Sequence, residues 1–369
     1  MDAPLLTMTM PGAYRPRRAR STFAEALLAR LDLGVCGLPL GVVRPAAACN
    51  GGRVADGETG RLPAAILVTG ATGFIGRRLV ERLLEEGIAE GGISATARPG
   101  TEGALPAGVT AVPWDLGEAL PFERMPARVE AVVHLAVPRA RHDGGPAALP
   151  GLMRVAVDAT ARLYEWARLS GARHVVHVST VSVLRPRLDV GHLLCDASPR
   201  VEPPGHPYAL AKAWAEDVAA ALRGHVETVT IVRPASVYGP GQGERGTLAA
   251  MARRILAGEA HELAAPDGHR LTPVFLDDVV EALLGLMRAP VGEALSVGGP
   301  EALTEREIVE DLGAWLGKAP VLVTSAEAPL MFGVSSARLD ARLPERPRTS
   351  WREGMRRTWA RGAERALSG

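Results

Sequence analysis

The sequence predicts an α/β fold in which a doubly wound parallel sheet precedes a smaller C-terminal substrate-binding lobe. From about residue 64, short apolar runs alternate with amphipathic stretches, which is typical of parallel strands joined by crossover helices. The first apolar run leads into a glycine-rich turn that opens a helix. Beyond about residue 240 the alternation loosens into shorter elements, which we assign to the lobe. Together these features indicate a sheet of the Rossmann type.

The individual elements follow in order along the chain. Short apolar runs predict strands, and segments with apolar residues three and four apart predict helices. We expect strands at 65–69, 93–97, 109–112, 130–135, 174–179 and 229–232, and helices at 74–86, 152–169 and 208–222.

Composition limits the classes of function. The chain has 369 residues, of which 47% are hydrophobic and 22% charged, so one large domain with a full core is expected. A net charge of +1 argues against nucleic acid as a partner. No apolar run is long enough to cross a bilayer, so we expect no membrane partner. Cys36, Cys49 and Cys195 form neither a disulfide framework nor a metal-binding pattern, which favours a reduced, cytoplasmic protein without a metal.

The first 62 residues differ from the rest. They are rich in Arg, Pro, Gly and Ala, and Ser21 is placed to cap a short helix that ends near Leu33. We interpret residues 1–62 as an extension that is partly ordered or dispensable. Residues 63–369 form the main domain, with 63–240 mainly binding the cofactor and 241–369 mainly binding the substrate.

The glycine-rich turn reads Thr69-Gly-Ala-Thr-Gly-Phe-Ile-Gly76. Gly70 permits the tight turn, Gly73 lets the backbone approach a pyrophosphate, and Gly76 lets the helix pack against the strand. The helix N-terminus then faces the phosphates. The segment therefore predicts a dinucleotide site.

A second motif, Tyr208-Ala-Leu-Ala-Lys212, predicts proton transfer. On a helix, this four-residue spacing places the phenol and the ammonium on one face. The cation is then expected to favour the phenolate and to lower the tyrosine pKa. Lys212 is one of only two lysines in the chain, the other being Lys318, so a chance occurrence of the motif is improbable.

From Ala64 to Arg361 the chain resembles the extended short-chain dehydrogenases/reductases of the NAD-dependent epimerase/dehydratase group. The family's TGxxGxxG turn is present, and Asp115-Leu116 matches the pair after the third strand. His134-Leu-Ala136 matches the HLA segment, and Val178-Ser-Thr180 matches the strand end that carries the active-site hydroxyl. The run Arg233-Pro-Ala-Ser-Val-Tyr-Gly-Pro240 resembles RPxxVYGP, and Phe275-Leu-Asp-Asp278 resembles HVDD.

The resemblance implies a set of site residues. Tyr208 would exchange the proton with the substrate, Thr180 would orient the reacting oxygen, and Lys212 would hold the ribose and assist the tyrosine. Ser179 is the nearest competitor for the role of Thr180. The implied cofactor contacts are Gly70, Thr72, Gly73, Phe74, Ile75, Gly76, Arg98, Asp115, Leu116, Leu135, Ala136, Val137, Tyr208, Lys212, Pro234 and Val237.

The end of the second strand indicates which cofactor is used. NAD enzymes carry an acidic residue there for the ribose diol, whereas an arginine accommodates the 2′-phosphate of NADP. This chain has Ala97 followed by Arg98. We therefore expect NADP, with NAD as the alternative.

Some positions depart from the family pattern. Ala156 replaces the asparagine that often supports the proton relay, and Val181-Ser182 stand where 4,6-dehydratases carry an acid pair. Dehydration is therefore not expected. Leu271-Thr272-Pro273 stand where nucleotide-sugar epimerases often show Arg-Asp-aromatic, and Arg270 is one place off. A nucleotide sugar is thus disfavoured without being excluded.

These observations leave three hypotheses for function. The first is an NADP-dependent reductase or dehydrogenase acting on a small metabolite. The second is a nucleotide-sugar epimerase or 4-ketoreductase, and the third is a non-catalytic NADP-binding sensor. A sensor would not need Thr180, Tyr208 and Lys212 together. The expected partner is a small-molecule substrate, with a homodimer as a possible assembly.

Overall fold

The computed structural model describes residues 60–136, 147, 149–202, 206–243 and 246–359. All of them fall within one compact unit, Val54–Gly369. The helix expected near residues 21–33 and the expected cofactor contact Val137 lie outside the described residues.

The strands are β1 Ile66–Thr69, β2 Ile93–Ala97, β3 Thr110–Pro113, β4 Ala131–His134, β5 His174–Val178, β6 Thr228–Pro234, β7 Val237–Tyr238, β8 Ala260–Ala264, β9 Arg270–Leu271, β10 Val274–Phe275, β11 Ala294–Val297, β12 Leu303–Thr304 and β13 Val321–Ser325. The α-helices are α1 Phe74–Glu85, α2 Leu149–Met153, α3 Ala159–Leu169, α4 Pro207–Ala221, α5 Thr247–Ala257, α6 Leu276–Arg288, α7 Glu305–Leu316, α8 Ala337–Arg342 and α9 Trp351–Trp359.

Seven strands form the central sheet, in the order β11, β6, β5, β4, β1, β2, β3. Every neighbouring pair in this sheet is parallel. The chain builds outward from β1 to β3 on one side and from β4 to β11 on the other, so the strand order switches between β1 and β4. In open parallel sheets, ligands bind at the carboxyl edge beside such a switch in strand order. The predicted doubly wound parallel sheet is confirmed.

The two faces of the sheet are covered by different helices because alternate strand residues point in opposite directions. Ile66 and Val68 pack in one apolar core with Leu79 of α1 and with the buried side of α6. Leu67 and Val132 pack in a second core with residues of α3, and that core extends to the C-terminal part of α4. The sheet is therefore buried on both faces, which explains why its strands read as continuous apolar runs.

Residues 276–297 return to the central sheet. The prediction assigned residues 241–369 mainly to the lobe, yet α6 covers one face of the sheet and β11 pairs with β6. The sequence pattern did not distinguish these elements from the lobe, because short apolar segments surround them on both sides.

The predicted helix 152–169 is divided into three parts in the structure. A π-helical turn, Arg154–Asp158, joins α2 to α3. Ala156 lies in this turn and packs against Ala211 and Ala215 of α4. Because these three side chains are small, the turn lies close to the helix that carries Tyr208 and Lys212.

The C-terminal lobe has its own apolar core. Helices α5, α7 and α9 contribute Met251, Leu312 and Met355 to it. A capping box between Thr304 and Glu307 starts α7, and Gly317, with φ of 65°, ends it. Three two-stranded sheets complete this part of the molecule: β7 with β10, β8 with β13, and β9 with β12.

No helix in the described part of the chain combines the length and apolar character needed to cross a bilayer. The described residues also contain no cluster of three or more His, Cys, Asp or Glu side chains arranged to hold a metal ion.

Candidate active site

The glycine-rich turn is closely packed against neighbouring backbone. Gly70 has φ of 71°, and a Cβ added to it would lie 2.8 Å from the amide nitrogen of Ala136. A Cβ on Gly76 would overlap the carbonyl oxygen of Gly70. The amide of Gly73 donates to that same oxygen at 2.9 Å and closes the turn. Larger residues at positions 70 and 76 are therefore incompatible with this backbone.

The first turn of α1 is open at the carboxyl edge of the sheet. Gly73 caps the helix without a side-chain hydrogen bond, and the first turn contains no acidic residue. Thr72 and Gly73 are exposed, while Phe74 and Ile75 are half-buried. Uncapped N–H groups at the positive end of a helix are suited to bind a phosphate.

The ends of β2, β3 and β4 continue this edge beside the turn. Arg98 follows β2 and is exposed, whereas the preceding Ala97 is buried. Asp115 is exposed after β3, and its Oδ1 accepts a hydrogen bond from the Gly117 amide at 2.8 Å. The parallel register places Leu116, Leu135 and Ala136 at the same end of the sheet. The predicted contacts on these strands therefore share one edge.

Lys212 and Thr180 both lie at the end of β5. The Lys212 Nζ donates to the Val178 carbonyl oxygen at 2.8 Å, and Thr180 follows two residues later. The Thr180 hydroxyl is half-buried and lies 3.2 Å from the Ser182 hydroxyl. In contrast, the Ser179 hydroxyl is buried and has no hydrogen-bond partner among the described residues. Thr180 is thus the more accessible of the two hydroxyls.

Burial controls the protonation of the tyrosine and lysine. It raises the pKa of Tyr208 to about 12. It also lowers the pKa of Lys212 to about 8, against the opposing effect of the Glu216 carboxylate. The sequence led us to expect a Tyr208 pKa below its ordinary value, and this was wrong, because loss of hydration of the phenolate dominates and the net shift is upward. Tyr208 therefore keeps its proton at neutral pH.

Three polar residues form a row across the sheet near Lys212. Thr69, His134 and His177 are register partners on β1, β4 and β5. The two nitrogens of His134 lie 2.6 Å from the Thr69 hydroxyl and 3.0 Å from the Thr160 hydroxyl. Nδ1 of His177 lies 2.6 Å from the Tyr164 hydroxyl. Helix α3 thus supplies a hydrogen-bond partner to each histidine.

Both histidines of this row are neutral. Burial, together with the nearby Lys212 charge, lowers the pKa of His134 to about 3 and the pKa of His177 well below its ordinary value. The sequence prediction missed His177, although a histidine within an otherwise apolar strand was a visible signal. Lys212 is consequently a buried cation beside neutral rings.

An ion pair holds α4, the helix that carries Tyr208 and Lys212, against β6. Arg233 contacts Glu216 with two hydrogen bonds, of 2.9 and 2.7 Å, and both side chains are buried. Glu216 lies one helical turn after Lys212, so the pair fixes the position of the helix. Arg233 therefore supports α4. Pro234, at the end of β6, is buried, and Val237 is half-buried in β7.

The chain is similar in sequence to known proteins. The model of the NAD dependent epimerase/dehydratase family matches residues 66–298. A UDP-glucose 4-epimerase of Mycolicibacterium smegmatis is 32% identical over 260 residues, which cover 66% of this chain and 79% of the relative. A 3-diazoavenalumate denitrifying reductase of a Streptomyces species is 29% identical over 318 residues, covering 79% of this chain and 99% of the relative.

The fold is also similar to that of a solved structure. The UDP-glucose 4-epimerase of Thermus thermophilus in complex with NAD is 26% identical and superposes with a TM-score of 0.66. The match covers 81% of this chain and 99% of that one.

Proposed function

Because this chain belongs to the NAD dependent epimerase/dehydratase family and is an enzyme, we propose that it is an NADP-dependent reductase or dehydrogenase that acts on a carbonyl or alcohol of a small metabolite. The observation that carries the proposal is the arrangement at the end of β5, where Lys212 is bound to the Val178 carbonyl beside the accessible Thr180 hydroxyl. A tyrosine that keeps its proton at neutral pH is suited to act as the acid in carbonyl reduction.

The residues present fit a nicotinamide dinucleotide. A Cβ at Gly70 or Gly76 would meet backbone atoms, so the turn keeps a close-packed backbone surface that a pyrophosphate can approach. The open first turn of α1 offers N–H groups to its phosphates. NADPH, when bound, would supply the hydride. We prefer NADP to NAD because the exposed Arg98 offers a charge to a 2′-phosphate, and Ala97 offers nothing to a ribose diol.

In the reduction direction, Tyr208 donates its proton to the substrate oxygen as hydride reaches the carbon. Thr180 donates a hydrogen bond to the same oxygen and orients it. The Lys212 ammonium stabilises the phenolate that forms, and its Val178 contact fixes the position of its charge. In the oxidation direction, the same groups act in reverse.

A nucleotide-sugar epimerase or 4-ketoreductase is the second candidate, favoured by the likeness to UDP-glucose 4-epimerases. Against it, Leu271 stands where those enzymes often carry a phosphate-binding arginine, and its side chain packs against the core of the lobe. Arg338 and Arg342, in α8, both pair with Glu293. These arginines are therefore engaged within the protein.

One assay separates the two candidates. Purified protein is incubated with NADPH and a panel of carbonyl compounds and nucleotide sugars, and both cofactor and product are quantified. We expect NADPH to be consumed in stoichiometry with product. Product that forms without net NADPH consumption would instead establish an epimerase, because such an enzyme regenerates its cofactor in every cycle. If NADPH binds but no compound of either class reacts, the non-catalytic sensor is favoured.

A further inference from the structure

Residues 183–201 form a loop, here called the mouth loop, that begins and ends beside the catalytic residues. The Val201 amide donates to the Val183 carbonyl at 2.8 Å, and the Arg185 amide donates to the Pro199 carbonyl at 2.7 Å. The loop therefore leaves the sheet just after Thr180 and returns shortly before the helix of Tyr208. Its position along the chain makes it a wall of the reaction site.

The far side of the mouth loop is joined to residues 331–335. The Leu194 amide donates to the Gly333 carbonyl at 2.9 Å, and the Met331 amide donates to the Arg187 carbonyl at 2.7 Å. These backbone bonds hold the two segments side by side. The wall is thus an ordered part of the fold.

The surface between these segments is apolar. Leu194, Met331 and Val334 are buried in one cluster, and Val181 and Val190 are half-buried against it. Leu193 is 37% exposed. Its Cδ2 would lie 3.2 Å from a Cβ placed on Gly333, and the Thr272 methyl would lie 3.0 Å from the same point. Leu193 therefore leaves an exposed apolar side chain beside the lobe.

The charged groups of the mouth loop pair with protein atoms. Asp189 contacts Arg187 at 3.6 Å and His192 at 2.8 Å. Arg200 pairs with Asp217 at 2.6 Å, and the Asp196 carboxylate accepts the Ser296 amide at 2.6 Å. Arg185 contacts Glu202 at 3.9 Å. These charges have partners within the protein, but pairs this exposed contribute little, so the case for an uncharged ligand rests on the apolar side chains of the wall.

We propose that the substrate carries an alkyl or acyl chain next to its reacting carbonyl, and that this chain lies against Leu193 and Val190. The inference rests on the proposed carbonyl reduction and names the substrate class for the same site. The chain fits because the loop connects the catalytic edge to an apolar surface.

Transfer of one methylene from water to such a surface is expected to raise kcat/KM roughly three- to four-fold, until the surface is filled. The test measures NADPH oxidation with a homologous series of linear methyl ketones. We expect kcat/KM to rise with chain length in the unmodified protein. In Leu193→Asp, this dependence should flatten, so the loss in kcat/KM relative to the unmodified protein should grow with chain length. Leu193→Ser should give an intermediate slope.

The matched control is Leu169→Asp. Leu169 is also an exposed leucine, but it ends α3 at the amino edge of the sheet, opposite the site. This variant should keep the full chain-length dependence. Measurable reduction of short ketones without any dependence on chain length would overturn the chain site and leave the proposed function intact. The same holds if Leu193→Asp keeps the slope of the unmodified protein.

A binding measurement distinguishes failure of the proposed chain site from failure of the proposed carbonyl reduction. Linear primary amides of increasing length are titrated calorimetrically into the protein loaded with NADP. Affinity that rises with length and falls in Leu193→Asp supports the chain site, even if no ketone is reduced and the proposed function fails. If neither affinity nor turnover depends on length, the chain site is rejected.

Discussion

The two ends of the carboxyl edge of the sheet differ, because one presents backbone and the other consists of buried polar side chains. At the end where we propose that the dinucleotide binds, here called the dinucleotide end, the glycine turn presents backbone, and Thr72 and Arg98 are exposed. At the proton-transfer end, Lys212, His134 and His177 are buried side chains. The first end depends on the shape of the backbone at the glycine turn, and the spacing of its glycines is therefore recognisable in the sequence. At the second end, burial determines which side chains hold a proton. The sequence therefore shows which residues are present but not their protonation states.

The largest expected effect lies at the proton-transfer end. Tyr208→Phe should lower turnover roughly 10²- to 10⁴-fold, because the ring still packs while the transferable proton is gone. NADPH affinity, measured by fluorescence titration, should change little. Lys212→Met should weaken both turnover and cofactor binding. Full activity in Tyr208→Phe would falsify its assignment as the proton donor.

At the dinucleotide end, Gly76→Ala should abolish measurable cofactor binding or destabilise the protein, since its Cβ overlaps the Gly70 carbonyl oxygen. Thermal unfolding together with NADPH titration checks both outcomes. The control is Gly292→Ala, because a Cβ there has no neighbour within 4 Å. Normal affinity and stability in Gly76→Ala would show that the turn relaxes easily and that its tight packing is unimportant.

A smaller effect is expected for Arg98→Ala, which should weaken NADPH by about 1 to 3 kcal/mol and leave NADH nearly unchanged. Equilibrium titrations with the two cofactors measure this difference. Arg173→Ala removes the same charge at the amino edge of the sheet and should affect neither. If the unmodified protein binds NADH as well as NADPH, the preference for NADP is wrong.

Lys212 should titrate with a pKa of about 8. Because the chain has two lysines, ¹³Cε-lysine labelling produces two lysine signals, and Lys212→Met assigns them. Above pH 8 the folded protein has lost this proton, while the unfolded chain keeps it up to the ordinary value of 10.5. The unfolded state then binds more protons, so this residue makes folding more favourable as pH rises between these values. A Lys212 titration near 10.5 would contradict the burial argument.

The smallest effect is expected outside both ends. We propose that residues 1–59 are dispensable, and that protein starting at Gly60 folds and binds NADPH with unchanged affinity. The start must precede Leu62, which is buried in the core against one face of the sheet. Circular dichroism, light scattering and NADPH titration test this proposal. Aggregation of the shortened protein would show that the removed segment covers an apolar surface.

Much of the fold was recognisable before the structure, for a local reason. Short segments rich in apolar and β-branched residues predict buried strands, and the predicted strands at 93–97 and 174–179 agree with β2 and β5 to within one residue. The π-helical turn at Arg154–Asp158 was not predicted, because it depends on contact with α4. The same is true of β11, whose place beside β6 comes from pairing across the sheet.

The sequence by itself determined the glycine turn, the spacing of Tyr208 and Lys212 and the first six strands along the chain, because each is set by residue type and spacing along the chain. Only the tertiary structure decided which side chains carry a charge and which form ion pairs within the protein. It places Lys212 near neutral histidines, keeps the proton on Tyr208, and binds Arg233 to Glu216. These properties depend on burial and on partners distant in sequence, since a charge is stabilised or suppressed by what surrounds it in three dimensions.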